Sequence, residues 1–144
     1  MSPAQSLPAG TAAQVTRAVL DLLRADAGLR EAFGTPPRIH DGEAGAPAYP
    51  FARLEAVEES DAGSACVAAK AYRLSISTAS RHGGRAYALE LIGALRRALE
   101  TTALELPGVR IVLQQIVYAD VLRSADQRRF RGLIRLKIVT EEDA

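Results

Sequence analysis

The sequence has one cysteine, Cys66, so no disulfide can form within the chain. That excludes a disulfide-stapled scaffold and agrees with a reducing compartment. Tryptophan is absent, and there are only two histidines, His40 and His82. The usual zinc spacings are missing: there is no CxxC, no HxxxH and no HExxH. Long hydrophobic runs are missing too, because Arg, Glu or Gln interrupts every apolar stretch well before the ~20 residues a bilayer span needs. Residues 1–10 lack the basic start and apolar centre of a secretory signal. Nor does one sign of charge dominate: 18 Lys and Arg face 17 Asp and Glu, a formal charge of +1. Coating nucleic acid or an anionic membrane calls for a net basic surface, so this balance argues against both.

What is present fits one domain. A chain of 144 residues buries roughly two-thirds of its unfolded surface. With 48% hydrophobic and 24% charged residues, wholesale disorder is excluded. The only lysines are Lys70 and Lys137; the other sixteen basic residues are arginines, as a GC-rich coding bias would give. The expected layout is a flexible arm over 1–10, one α+β domain over 11–140 and a polar tail over 141–144.

The apolar spacing supplies the elements. Thr11 reads as a helix N-cap, with Gln14 completing a capping box. Val15, Val19, Leu22 and Leu23 follow on one face. Asp26 is a second cap, Leu29 and Phe33 continue the apolar face, and Gly34 ends it before Pro36 and Pro37. A short strand is expected near Arg38–His40. Another spans 51–57, with Ala52, Leu54 and Ala56 facing one way. Residues 58–65 are polar and acidic and read as a turn or loop. Residues 67–78 alternate, with Tyr72, Leu74 and Ile76 opposite Arg73, Ser75 and Ser77. Residues 85–100 give the strongest helix, with Ala88, Leu91, Ile92, Leu95 and Leu99 on its stripe. Residues 109–121 read as a strand whose alternation slips near Gln114–Gln115, which suggests a bulge. After a turn at 124–127, residues 128–139 give the clearest strand. Phe130, Ile134, Leu136 and Ile138 share one face; Arg129, Arg131, Arg135 and Lys137 share the other. The sum is an α+β fold: a mixed, mostly antiparallel sheet packed on one long helix, with an N-terminal helix.

Residues that could carry chemistry are few. His40, Asp41 and His82 could compose a metal site, but each lies beside a turn, and an exposed loop histidine is the simpler reading of both. Cys66 has no charged neighbour in sequence to activate it, so a small buried apolar residue is expected. The turn His82-Gly83-Gly84-Arg85 could offer backbone donors to a phosphate. It has neither the Walker nor the GxGxxG pattern, and the glycine pair is needed anyway to turn a strand into a helix. Glu58, Glu59 and Asp61 lack the alternation of a calcium loop. The basic stripe has no interleaved aromatics for a single-strand stacking platform. No catalytic, cofactor-binding or metal-binding residue is assigned.

Taken in order, the chain resembles the phage tail terminator (tail completion) proteins of long-tailed phages, prophages and gene transfer agents. The marks begin with Leu22-Leu23-Arg24-Ala25-Asp26-Ala27-Gly28-Leu29, Arg38-Ile39-His40-Asp41 and the Ala46-Pro47 to Pro50-Phe51 entry into a strand. Tyr72-Arg73-Leu74-Ser75-Ile76, Gly83-Gly84-Arg85, Leu95-Arg96-Arg97-Ala98-Leu99, Leu106-Pro107-Gly108-Val109 and Arg128-Arg129-Phe130-Arg131 follow. The resemblance implies a structural virion protein, not an enzyme. It implies a homohexameric ring that caps the tail tube, ends tube polymerisation and joins the tail to a head-side connector. DNA would pass through without specific binding, and no membrane is involved. The place would be the tail-neck region of a virion-like particle assembled in the bacterial cytoplasm. A neck or head-completion protein, or a small ligand-binding enzyme using the 82–85 turn, is the alternative. Ring closure needs two complementary surfaces. The sequence offers Glu58, Glu59 and Asp61, with Glu55, against Arg129, Arg131, Arg135 and Lys137.

Overall fold

The computed structural model describes residues 10–42, 45, 47–126 and 128–142. Residues 1–9 of the expected arm, and 143–144 of the expected tail, lie outside them. Helix α1 (Thr11–Ala25) buries Val15, Val19, Leu20 and Leu23. Its N-cap is Gly10 in extended conformation, with no side-chain cap bond. The Thr11 capping box therefore does not form, because Thr11 is already the first helical residue. Asp26 does cap: it ends α1, and its carboxylate accepts the Leu29 amide at 2.9 Å to start α2 (Ala27–Phe33).

A two-residue strand β1 (Ile39–His40) leads to β2 (Phe51–Asp61), β3 (Ala69–Ser80), α3 (Gly84–Thr101), β4 (Val109–Arg123) and β5 (Phe130–Glu142). They form one five-stranded sheet in the order β1-β2-β3-β5-β4. Only β1 and β2 are parallel. The α+β architecture is as expected, with α3 the longest of the three helices among the described residues. Its stripe of Ala88, Leu91, Ile92, Leu95 and Leu99 is buried. It shares one core with Tyr72, Leu74 and Ile76 of β3, Ile134, Leu136 and Ile138 of β5, and the apolar faces of α1 and α2. Among the described residues, the helices thus cover one face of the sheet and leave the other open.

Four details differ from the sequence reading. Strand β2 continues through Glu58, Glu59 and Asp61, where a loop was expected. The reason is long-range: Glu58 lies opposite Arg73 and Asp61 opposite Lys70, and opposite charges across a ladder are stabilising. A register shift between Leu54 and Ala56 turns Ala56 outward and exposes it. Strand β3 begins at Ala69, so Cys66 lies in the preceding turn and is exposed, not buried. In β4 the irregularities fall between Ile111 and Leu113 and between Ile116 and Tyr118, flanking Gln114. Gln114 itself stays in register and ties the sheet to the end of α3. Its Nε2 donates to the carbonyls of Leu99 and Thr102 at 2.7 Å, and its Oε1 accepts the Leu104 amide at 3.0 Å.

At Gly132 helix α3 and the sheet approach closely. A Cβ there would meet Thr78 Oγ1 at 2.5 Å and Ile92 Cδ1 at 2.7 Å. We expect Gly132→Ala to cost about 1–3 kcal/mol by overpacking and Leu95→Ala, at a fully buried position, about 2–5 kcal/mol by opening a cavity. Urea denaturation checks both. A loss under about half a kcal/mol in either would mean that α3 does not pack on this face.

Candidate functional site

The open face of the sheet carries the predicted basic stripe. Arg131 and Arg135 are exposed and Lys137 half-buried. The ladder adds Arg73 beside Lys137 and puts Glu58 beyond it, so these three side by side form one row across β5, β3 and β2. Arg53 sits on the same face, opposite Ser77. The signal for Arg73 was its alternation against Tyr72, yet only the strand order shows that it joins the stripe. Tyr118 of β4 lies opposite Arg135, whose guanidinium stands 5.1 Å above the tyrosine ring.

Arg129 departs from the stripe. It precedes β5, in the turn, where its guanidinium lies 3.7 Å from Asp126 and donates to Tyr49 Oη at 3.4 Å. That bond holds the Tyr49 phenol below its usual range. The acidic set is also divided. Past the bulge the inward side falls to odd-numbered residues of β2. Glu59 lies opposite Tyr72 and Asp61 opposite Lys70, and the two acids line a cavity of about 260 Å³ with Thr11, Tyr72 and Thr140. Burial, then Glu59, raises the Tyr72 phenol. Of the three predicted acids, only Glu58 shares the face of the arginines. Glu55, the extra residue of the bulge, accepts a bond from Ser77 Oγ at 2.5 Å.

Two further features belong to the sheet as a whole. Its edges are open in different ways. Strand β1 pairs only with Ala52 and Arg53 of β2, so among the described residues β2 has no outer partner from Leu54 on. The opposite edge is β4, which exposes Val112, Val117, Tyr118 and Leu122. The ends of the strands differ in charge. Arg81, Arg85, Arg123, Arg128 and Arg129 gather where β3 and β4 end and β5 begins, against Asp126. Glu59, Asp61, Glu141 and Glu142 gather at the other end, with Lys70 and Arg110.

The candidate chemistry is thin. No group of three His, Cys, Asp or Glu able to hold a metal occurs among the described residues. None of their helices is long and apolar enough to cross a membrane. His82 lines a cavity beside α3, apart from His40. His40 is half-buried on β1 with its ring 6.2 Å from that of Phe51, not in an exposed loop.

The family described as tail completion protein gp17 matches residues 17–141. The chain belongs to this tail completion family. A chain from a solved structure, "Virion of native gene transfer agent (GTA) particle", superposes with a TM-score of 0.80. It is 24% identical, and the match covers 93% of this chain and 99% of that one. The likeness establishes the fold. A search of curated proteins finds no match. As a member of the tail completion family the protein is a phage-type tail structural protein, and its distinctive geometry lies in sheet edges, an open face and polar ends.

His40 supplies a pH prediction. Burial, then Arg53, Arg24 and Arg38, lower its pKa from 6.5. The unfolded chain therefore takes up the proton first as pH falls, and stability drops through the ordinary histidine range. We expect the thermal midpoint to fall between about pH 7 and 5, and His40→Gln to flatten that fall. An unchanged slope in the variant would assign the loss to other groups.

Proposed function

We propose that this tail completion protein closes into a homohexameric ring on the end of the tail tube. There it ends tube polymerisation and presents the other ring face to a head-side connector. The observation that carries the reading is the pair of unlike open edges on one sheet, in a chain of this family. A ring needs a head-to-tail contact between two different surfaces. The β2 edge beyond Leu54 and the β4 edge are such a pair. Bulges at Val112 and Val117 restrict indiscriminate strand addition at β4. The exposed side chains of Val112, Val117, Tyr118 and Leu122 remain for a specific contact.

Edge-to-edge contact also selects among the charges. Glu58 and Lys137 lie at the same height in the sheet, in one row with Arg73 and Gln115. In the ring, Glu58 of one subunit faces Lys137 and Arg135 of the next across the β4 edge. Glu59 and Asp61 stay in their own cavity, and Arg129 stays with Tyr49. Such complementarity sets register more than affinity. DNA passes without specific contacts, the subunit works without cofactor or catalysis, and assembly takes place in the bacterial cytoplasm. A neighbouring neck role in the same particle is the alternative, and attachment to isolated tube ends separates the two.

Mass photometry of the purified protein, alone and with tail tubes, tests the ring. We expect hexamers, free or on tube ends. Reversal at Arg135 and Lys137 to Glu should abolish them, and Glu58→Arg should partly restore them. Glu59→Arg alone should leave assembly intact. Assembly that survives the double reversal while DNA delivery falls would place these cations in the channel instead.

A further inference from the structure

The turn between β3 and α3 is not used by the ring contact, and the structure gives it content. Between the Tyr49-Pro50 segment and the first turns of α3 lies a cavity of about 550 Å³. Tyr49, Pro50 and Tyr87 supply its apolar walls; Ser80, Arg81 and His82 supply its polar side. Gly83 makes the shape possible. It sits at φ +81, and a Cβ there would stand 2.5 Å from the Cβ of Tyr87.

Three observations converge on this space. Helix α3 starts at it, with Gly83 as N-cap and no side-chain cap bond, so its first backbone amides keep their capacity to donate. Ser80, which lines the cavity, is 1% exposed. Its Oγ is buried without a hydrogen-bond partner among the described residues. A buried polar group in that condition costs free energy unless something completes it. Finally, the lining holds one guanidinium: that of Arg81 stands 4.3 Å above the Tyr49 ring. Glu90 is the single acid on the lining, a turn further along α3 than Ala86.

From this arrangement we propose that the cavity is a carboxylate-binding pocket that takes an acidic side chain, flanked by an apolar residue, from a neighbouring virion protein. The carboxylate accepts from the α3 amides and the Ser80 hydroxyl, beside Arg81. The flanking residue lies between Tyr49 and Tyr87. Helix N-terminus, arginine and hydroxyl all favour an anion. The apolar walls favour one carried on a side chain over a bare inorganic ion. That the donor is a virion protein rests on the reading above; carboxylate binding by the isolated chain does not.

NMR titration of the purified full chain tests the pocket. The probes are acetyl-Phe-Glu amide, its Gln counterpart and inorganic phosphate. The Glu probe should give saturable millimolar shifts confined to Tyr49, residues 80–87 and their neighbours, and the Gln probe should not. Ser80→Ala and Arg81→Gln should each weaken binding about tenfold, the loss of one charge-assisted hydrogen bond. Arg128→Gln, at the same end but outside the cavity, should leave it unchanged. Absence of saturable shifts, equal binding of the Gln probe, tighter binding of phosphate, or an equal loss in Arg128→Gln would each overturn the proposal. Subunit assembly, read by mass photometry, is expected to be unaffected by Ser80→Ala, which keeps this outcome separate from that of the ring.

Discussion

The stripe of α3 is buried in one core with the inward side chains of β3 and β5, and most of the molecule follows from that packing. An 18-residue helix is about 27 Å long, so it covers about two-thirds of the 12- and 13-residue strands beneath it, each roughly 40 Å long. Gly132 lets it come close, and Gln114 fastens its C-terminal end to β4. Once α3 and the shorter α1 and α2 occupy one face, no helix among the described residues remains for the other. The open face must then be made of residues that tolerate water. Arg73, Arg131, Arg135 and Lys137 do so, around small Ser75 and Ser77.

The bulge in β2 decides which charges meet. Without the extra residue near Glu55, Glu59 and Asp61 would stand on the open face beside the arginines. With it, they turn toward Tyr72 and Thr140, and Glu58 is brought out beside Arg73 and Lys137. Because side chains alternate strictly along a strand, a single extra residue reverses the facing of everything after it. A stretch of three acids that is uniform in composition thereby serves two places.

What was legible in the sequence follows the same physics. Helix α3 and strand β5 could be read because their apolar spacing is set locally by the core they face. Asp26 could be read because its cap bond spans three residues. Glu58 to Asp61 could not, since their strand state depends on Arg73 and Lys70, more than eight positions away and across a turn. Thr11 failed as a cap because Gly10, equally able to precede a helix, took the place. Cys66 failed because a small residue carries no periodic signal. Of the candidate site, the basic stripe was visible, while Arg73, the division of the acids and the Ser80 cavity required strand order and register.

Symmetry then limits how a ring can use these charges. Rotation about the ring axis gives every subunit the same tilt, so strands that run along the axis put all Arg81 and Arg85 ends on one ring face and all Glu141 and Glu142 ends on the other. In the proposed ring, contacts between neighbours would then be confined to residues at equal height, so that Glu58 would meet Lys137 and not Arg129. The two faces of the proposed ring would then be opposite in charge. A formal charge of +1 conceals this separation, because composition sums over the molecule while docking reads its ends. Strands that instead ran around the circumference would bring acidic and basic ends together between neighbours and leave both ring faces nearly neutral. For the proposed place between tube and connector, the end-to-end polarity would be useful only in the first arrangement.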